Sequence, residues 1–199
     1  MKIVNLDGYT TNPGDLSWDW LGNYGEYKVY DRTAPEQIVE RAKGADILII
    51  NKSVITAQML ENLPNLKFVG LQSTGYNVID CKAARARNIT VSNIPAYSTT
   101  GVAQLVFAFI LQVADNVSLH SDAVHNGEWC ECPDFCFWKT PLTELDGKTI
   151  GIIGFGSIGR RVAQIANAFG MNVEVFTTHP KPDEYKNVNF VDFDTLLSD

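Results

Sequence analysis

Short apolar runs alternate with amphipathic segments along the first half of the chain, the rhythm of a parallel sheet with helices packed on it. Lys2 to Leu6 opens the series as a strand, and Asp7-Gly8-Tyr9 and the Pro13-Gly14 turn interrupt it. Trp18 to Leu21 is expected to begin a helix, and Tyr27 to Tyr30 forms a second strand. Pro35 suits the first turn of a helix ahead of Ile38, Val39 and Ala42. Strand Asp46 to Ile50, helix Ala57 to Leu63, strand Phe68 to Leu71, helix Ile79 to Arg87 and strand Thr90 to Ser92 follow. Five β/α units predict a flavodoxin-like α/β domain over residues 1–98.

The period then lengthens. Val102, Leu105, Val106, Phe109, Ile110 and Val113 recur at three- and four-residue steps, a long helix with Ser98, Thr99 and Thr100 as N-cap candidates. It is expected to carry the chain into a second domain, 99–199. Gln104 could face a cofactor but reads more simply as a solvent-facing helix residue, and His120 and His125 read as solvated imidazoles on a polar helix end. Residues 126–141 form a loop containing Trp129, Phe135, Phe137 and Trp138. A loop of this length either serves function or a partner, or covers a domain junction, and the residues leave both open.

Thr149 to Ile153 is again a buried β-branched strand. Gly154, Gly156 and Gly159 follow, and a helix begins with Ile158, Val162, Ile165, Ala166 and Phe169 on one face. At this spacing the first glycine makes a tight turn, the second lets a pyrophosphate approach the backbone, and the third lets helix pack on strand. The amides of Ser157 and Ile158 would point at the anion, so the stretch predicts a dinucleotide site in the first half of a Rossmann domain. The next strand, Asn172 to Thr177, ends without the carboxylate that receives the ribose hydroxyls of NAD. Glu174 lies too early. Thr177, Thr178, His179 and Lys181 can all donate to a 2′-phosphate, so NADP is slightly favoured over NAD.

Function in such sheets collects at the carboxyl ends of strands. The turn after Ile50 supplies Asn51 and Lys52, and the turn after Leu71 supplies Thr74, Gly75 and Tyr76 within Gln72 to Asn77. Consecutive amides there form a candidate nest for a carboxylate, with a plain strand-to-helix turn as the alternative. Lys52 by itself reads as a solvated strand-end lysine.

Composition narrows the partners. The 199 residues are 45% apolar, with net charge −7 and pI near 4.9, which argues against nucleic acid or an anionic membrane as a partner. No apolar run reaches the roughly 18 residues of a membrane span. Met1-Lys2-Ile3-Val4 enters a strand without a signal peptide's apolar region, which predicts a cytoplasmic location with reduced thiols. Cys130, Cys132 and Cys136 lie close together but lack a second knuckle, so no metal site is expected, and Cys81 reads as a helix residue without a role.

The stretches INKSVIT, LPNLKFVGLQSTGYNVID, NIPAYSTTGVAQLVFAFIL, NGEW followed by PDFCFW, and LDGKTIGIIGFGSIGRRVA together resemble the NAD(P)-dependent D-2-hydroxyacid dehydrogenase family, closest to its glycerate dehydrogenase or hydroxypyruvate reductase branch. The resemblance implies a split substrate domain with an inserted Rossmann domain, and a homodimer built partly on the helix after Ser98. It implies a substrate carboxylate held by Thr74, Gly75 and Tyr76 beside Asn51 and Lys52, and a pyrophosphate on Gly154, Gly156, Ser157, Ile158 and Gly159. The loop ending at Trp138 is similar to one that approaches a neighbouring subunit's active site. The implied reaction is hydride transfer between NAD(P)H and a small 2-keto acid such as hydroxypyruvate or glyoxylate.

The family's arginine, acid and proton-exchanging histidine find no match, because His120, His125 and His179 all precede the region that supplies them. Only three strands of a six-stranded dinucleotide domain are expected, the last at Asn189 to Val191 before a helix opening at Asp194. The chain therefore reads as the N-terminal part of such an enzyme, inactive alone. A non-catalytic dinucleotide-sensing module on the same scaffold is the alternative.

Overall fold

The computed structural model describes residues 1–198; Asp199, which ends the second predicted domain, lies outside them. The chain forms two compact units, Met1–Tyr97 and Ser98 onward.

In the first unit β1 (Lys2–Asn5), β2 (Glu26–Val29), β3 (Ile47–Ile50), β4 (Phe68–Leu71) and β5 (Thr90–Ser92) pair in parallel in the order β2-β1-β3-β4-β5. That order is the flavodoxin-like one, and its reversal falls between β1 and β3. The register sets Val4 beside Leu48 and Leu48 beside Val69, so branched side chains line up across the sheet. One face is fully buried under α1 (Ile38–Ala42), α2 (Ala57–Glu61) and α3 (Cys81–Ala86), with Val4, Leu6, Leu48, Ile50, Val69 and Leu71 against Ile38, Leu60 and Ala84. The opposite faces of β3 and β4 are half-buried, so burial alternates in these two strands, whereas Ile3, Val4 and Asn5 of β1 are all buried.

Capping trims the expected helices. Thr56 accepts from Met59 N–H at the start of α2, and Asp80 accepts from Ala83 N–H at 2.9 Å, which turns Ile79 and Asp80 into an approach to α3. The helix expected from Trp18 is a 3₁₀ turn, Asp19–Asn23, tied to β2 by Tyr27 Oη donating to Asp19 at 2.7 Å. That bond lowers the Asp19 pKa.

The second unit opens with α4 (Thr99–Asp115). Ser98 flanks it but caps it only through its carbonyl, which accepts from Val102 N–H; its side chain makes no capping bond. Asn116 takes the left-handed conformation at φ 48° and breaks the helix, and α5 (Val117–His125) leaves at 62°. Among the described residues no single helix is long and apolar enough to cross a membrane. The residues 126–141 include a one-turn α6 (Glu128–Glu131).

Next, β6 (Thr149–Ile153), α7 (Ser157–Ala168), β7 (Asn172–Phe176), β8 (Asn189–Phe190) and α8 (Phe193–Ser198) complete the unit. The three strands are parallel in the order β6-β7-β8, one half of a Rossmann sheet. Ala103 and Phe107 of α4 pack with Ile152, Val162, Ala163, Ala166, Val173 and Val175, and the Phe107 and Phe169 rings stack at 5.3 Å. Leu105, Phe109 and Val113 of the expected apolar row face outward instead.

Candidate functional site

The bend after β6 is built by what its glycines lack. Gly154 has φ +91°, where a side chain would be strained, and its N–H donates to Phe176 C=O at 2.8 Å, which ties the turn to the end of β7. A Cβ on Gly159 would overlap the Gly154 carbonyl oxygen, so the helix can lie this close to the strand only without one. At Gly156, as at Gly154, a Cβ would meet nothing within 4 Å. The open side of the turn therefore includes the glycine that a phosphate would approach.

The first turn of α7 carries the matching polarity. Its first backbone bond runs from Arg160 N–H to Gly156 C=O at 3.0 Å. Among the described residues nothing accepts from the N–H groups of Ser157, Ile158 or Gly159, and no capping side chain or acid competes for them. Three convergent donors at the positive end of a twelve-residue helix fit a diphosphate.

Thr177, Thr178 and His179 follow β7 directly, beside the Gly154 turn. Glu174 lies mid-strand, paired with Gly151 and Asn189. Lys181 has a partner within its own turn. Its ammonium donates to Glu184 at 2.9 Å, and that hydrogen bond raises the Lys181 pKa and lowers that of Glu184 because each stabilises the other's charged form.

In the first unit the loop after β4 has its carbonyls occupied. Ser73 C=O accepts from Ile94 N–H at 3.1 Å, Thr74 C=O from Asn93 Nδ2 at 2.7 Å, Gly75 C=O from Ser73 Oγ at 2.8 Å, and Tyr76 C=O from Ile79 N–H at 3.4 Å. The N–H groups of Thr74, Gly75 and Tyr76 donate to nothing among the described residues, and the three residues are exposed. With acceptors consumed and donors presented, this loop suits an anion.

The turn after β3 behaves in the opposite way. Its amides do not face outward; Asn51, Lys52 and Ser53 N–H all donate to Asp7 Oδ2, at 2.7, 3.0 and 2.9 Å, and Ser53 Oγ donates to Asp7 Oδ1 at 2.9 Å. Asn51 Nδ2 donates to Thr10 Oγ1 at 2.8 Å. The exposed Lys52 side chain keeps all its donors, with no partner among the described residues, and Asn51 Nδ2 keeps one of its two. Asp7, missed by pattern reading, is 4% exposed, and its N–H donates to the buried Asn5 Oδ1 at 3.0 Å. A carboxylate directly past the end of a strand was its only sequence signal.

His120 is not simply solvated. Lys139 N–H donates to Nε2 at 3.1 Å, so the proton sits on Nδ1, which donates to Asn116 C=O at 2.9 Å. Phe137 packs between the His120 and Trp129 rings, and Lys139 pairs with Glu128, so this part of the aromatic segment is folded onto α5 and α6. His125 Nδ1 contacts its own helix at Ser121 C=O. The four cysteines are free thiols, and Cys132 Sγ donates weakly to Cys136 C=O.

A flavodoxin-like unit followed by half a Rossmann sheet with a helix-backed glycine turn defines an α/β protein of the two-domain dehydrogenase class. The chain belongs to the D-isomer specific 2-hydroxyacid dehydrogenase family, whose catalytic-domain model matches residues 10–190. It is 46% identical to the hydroxypyruvate reductase of Blautia hydrogenotrophica, covering 100% of this chain and 63% of that protein. It is 37% identical to the glycerate dehydrogenase of Methylorubrum extorquens, over 87% of this chain and 54% of that one. A solved acyclic imino acid reductase in complex with NADPH and D-Arg matches with a TM-score of 0.76 at 32% identity, over 98% of this chain and 62% of that one. The chain thus spans between 54% and 63% of the length of these relatives.

Proposed function

We propose that the chain carries the carboxylate-binding and cofactor-binding parts of an oxidoreductase that moves hydride between NAD(P)H and a small 2-keto acid such as hydroxypyruvate or glyoxylate. The observation that carries this reading is the set of unpaired amides at Ser157, Ile158 and Gly159, set behind a glycine with open space where its side chain would be. Gly154, Gly156 and these three residues hold the pyrophosphate, and Thr177, Thr178 and His179 receive the ribose end. When bound, the nicotinamide supplies the hydride. The chain's own residues bind and orient: the amides of Thr74, Gly75 and Tyr76 hold the substrate carboxylate, and Lys52 adds positive charge at the neighbouring strand end.

NADP is favoured over NAD because no carboxylate ends β7 to repel a 2′-phosphate, although Lys181 reaches one only by leaving Glu184. The proton donor is a separate matter. His120 is spent on the aromatic segment, His125 on its own helix, and His179 stands at the ribose end. Without a general acid the rate falls by about 10²- to 10⁴-fold, so the chain alone binds without useful turnover.

Calorimetric titration with NADPH and NADH, paired with a hydroxypyruvate assay of this chain and of a protein of its relatives' full length, tests the reading. NADPH binds more tightly than NADH, and only the longer protein oxidises it. Comparable or tighter NADH binding removes the cofactor preference, and no binding of either removes the reading. Binding without turnover in the longer protein favours the sensing module.

The same reading includes a homodimer in the cytoplasm. Leu105, Phe109 and Val113, at four-residue steps on α4, are 53%, 64% and 79% exposed and form an apolar stripe. Free thiols fit a reducing compartment. Phe109→Asp converts a dimer to monomer in sedimentation if that stripe is the interface.

A further inference from the structure

In a sheet of order β2-β1-β3-β4-β5 the crevice that ordinarily takes a ligand opens between β1 and β3, where the strand order reverses. Here the backbone builds such a receptor. Three consecutive N–H groups, from Asn51, Lys52 and Ser53, converge on one point, which is the geometry of an anion nest. The anion at that point belongs to the chain: it is Asp7 Oδ2, and the second carboxylate oxygen takes the Ser53 hydroxyl. One strand over, the loop after β4 has its carbonyls tied and its amides unpaired.

We propose that Asp7 is a specificity-determining residue, a built-in carboxylate that closes the anion nest at the β1/β3 switch point so that an external carboxylate is received only by the loop at Thr74, Gly75 and Tyr76. The inference rests on the reading of that loop as the substrate-carboxylate site. A buried carboxylate persists only when its oxygens are satisfied, and four donors satisfy this one. A second anion at the same place would find its donors used and a like charge beside it. One Asn51 Nδ2 proton is likewise used, on Thr10, whose hydroxyl donates back to Asp7 C=O at 2.8 Å. The backbone of Asn51 and Lys52 therefore excludes an external anion, and at this turn only side-chain donors, the Lys52 ammonium and the second Asn51 amide proton, remain to bind one.

The test is an amide-resolved NMR titration of the ¹⁵N-labelled chain with glyoxylate, together with hydrogen exchange without it. In the wild type, Thr74, Gly75 and Tyr76 amides shift and saturate while Asn51, Lys52 and Ser53 stay silent. Without glyoxylate the latter three exchange at least about tenfold more slowly, as bonds to a charged acceptor require. In Asp7→Asn and Asp7→Ala, the amides of Asn51 to Ser53 lose this protection and begin to respond to glyoxylate. Response of Asn51 to Ser53 in the wild type, exchange as fast as at the loop after β4, or a folded Asp7→Asn chain with no new response overturns the proposal. If neither variant folds, the wild-type titration and exchange rates still decide it. Silence of Thr74 to Tyr76 in the wild type overturns the carboxylate-loop reading instead, while the exchange rates at Asn51 to Ser53 still report on Asp7.

Discussion

The loop after β4 and the bend after β6 both end a parallel strand with unpaired amides, but they free those amides by different means. After β6 the freedom comes from helix geometry, since the first N–H groups of α7 precede any carbonyl four residues back. Gly156 and Gly159 keep atoms out of the way, and Gly154 makes the turn. After β4 there is no helix to do this, and the N–H groups face outward because Ser73, Asn93, Ile94 and Ile79 have claimed the carbonyls. The first cradle is broken by adding an atom and the second by removing a bond.

The largest effect expected from that contrast is at Gly159. Gly159→Ala sets a methyl against the Gly154 carbonyl and lowers the stability of the second unit by about 3 kcal/mol, seen as an early transition in thermal unfolding by circular dichroism. The first unit is unaffected. Gly156→Ala, which meets no chain atom, separates binding from folding: the melting temperature holds, and NADPH affinity in calorimetry falls by about tenfold or more as the methyl enters the phosphate's space. If both variants only destabilise, the glycine turn is a connector and not a cradle.

Asn93→Ala probes the other cradle. It releases the Thr74 carbonyl at a cost near 1 kcal/mol, and glyoxylate binding at Thr74 to Tyr76 weakens by about fivefold in the NMR titration. The smallest effect is at the far end of the same sheet. The Lys67 ammonium, and then the Lys2 N–H, hold the Asp46 carboxyl below its ordinary value. A folded-state pKa below the unfolded one gives stability that is present above about pH 4 and is lost as pH falls through the folded value. Asp46→Asn therefore flattens the acid end of the stability curve of the first unit in urea titrations and leaves glyoxylate binding at pH 7 unchanged.

Local pattern and tertiary context divide cleanly along the chain. Strands β4, β5 and β6 stand where alternation and β-branching place them, although β6 is not the buried strand expected, since only Ile152 is buried and Ile153 is 64% exposed; the three glycines show the turn, the open approach and the close packing that their spacing implies. These depend on neighbours within a few residues, so a local reading reaches them. The helix after Ser98 was legible as a helix, yet which of its apolar residues turned inward was not. Phe107 found Phe169, some sixty positions away, and the row at Leu105, Phe109 and Val113 was left outside.

Asp7 shows the same limit more sharply. Its partners lie 44 to 46 residues along, in a turn that becomes its neighbour only because β3 pairs with β1. His120 differs from its sequence reading for a related reason, since a backbone N–H from Lys139 arrived to occupy it. The amino-acid sequence by itself determined the strand and helix series, the parallel α/β class and the glycine bend, because periodicity and missing side chains act through bonds and near neighbours. Only the tertiary structure decided which strand end keeps its amides open, because a hydrogen-bond donor is available or spent according to which distant acceptor the fold brings within 3 Å.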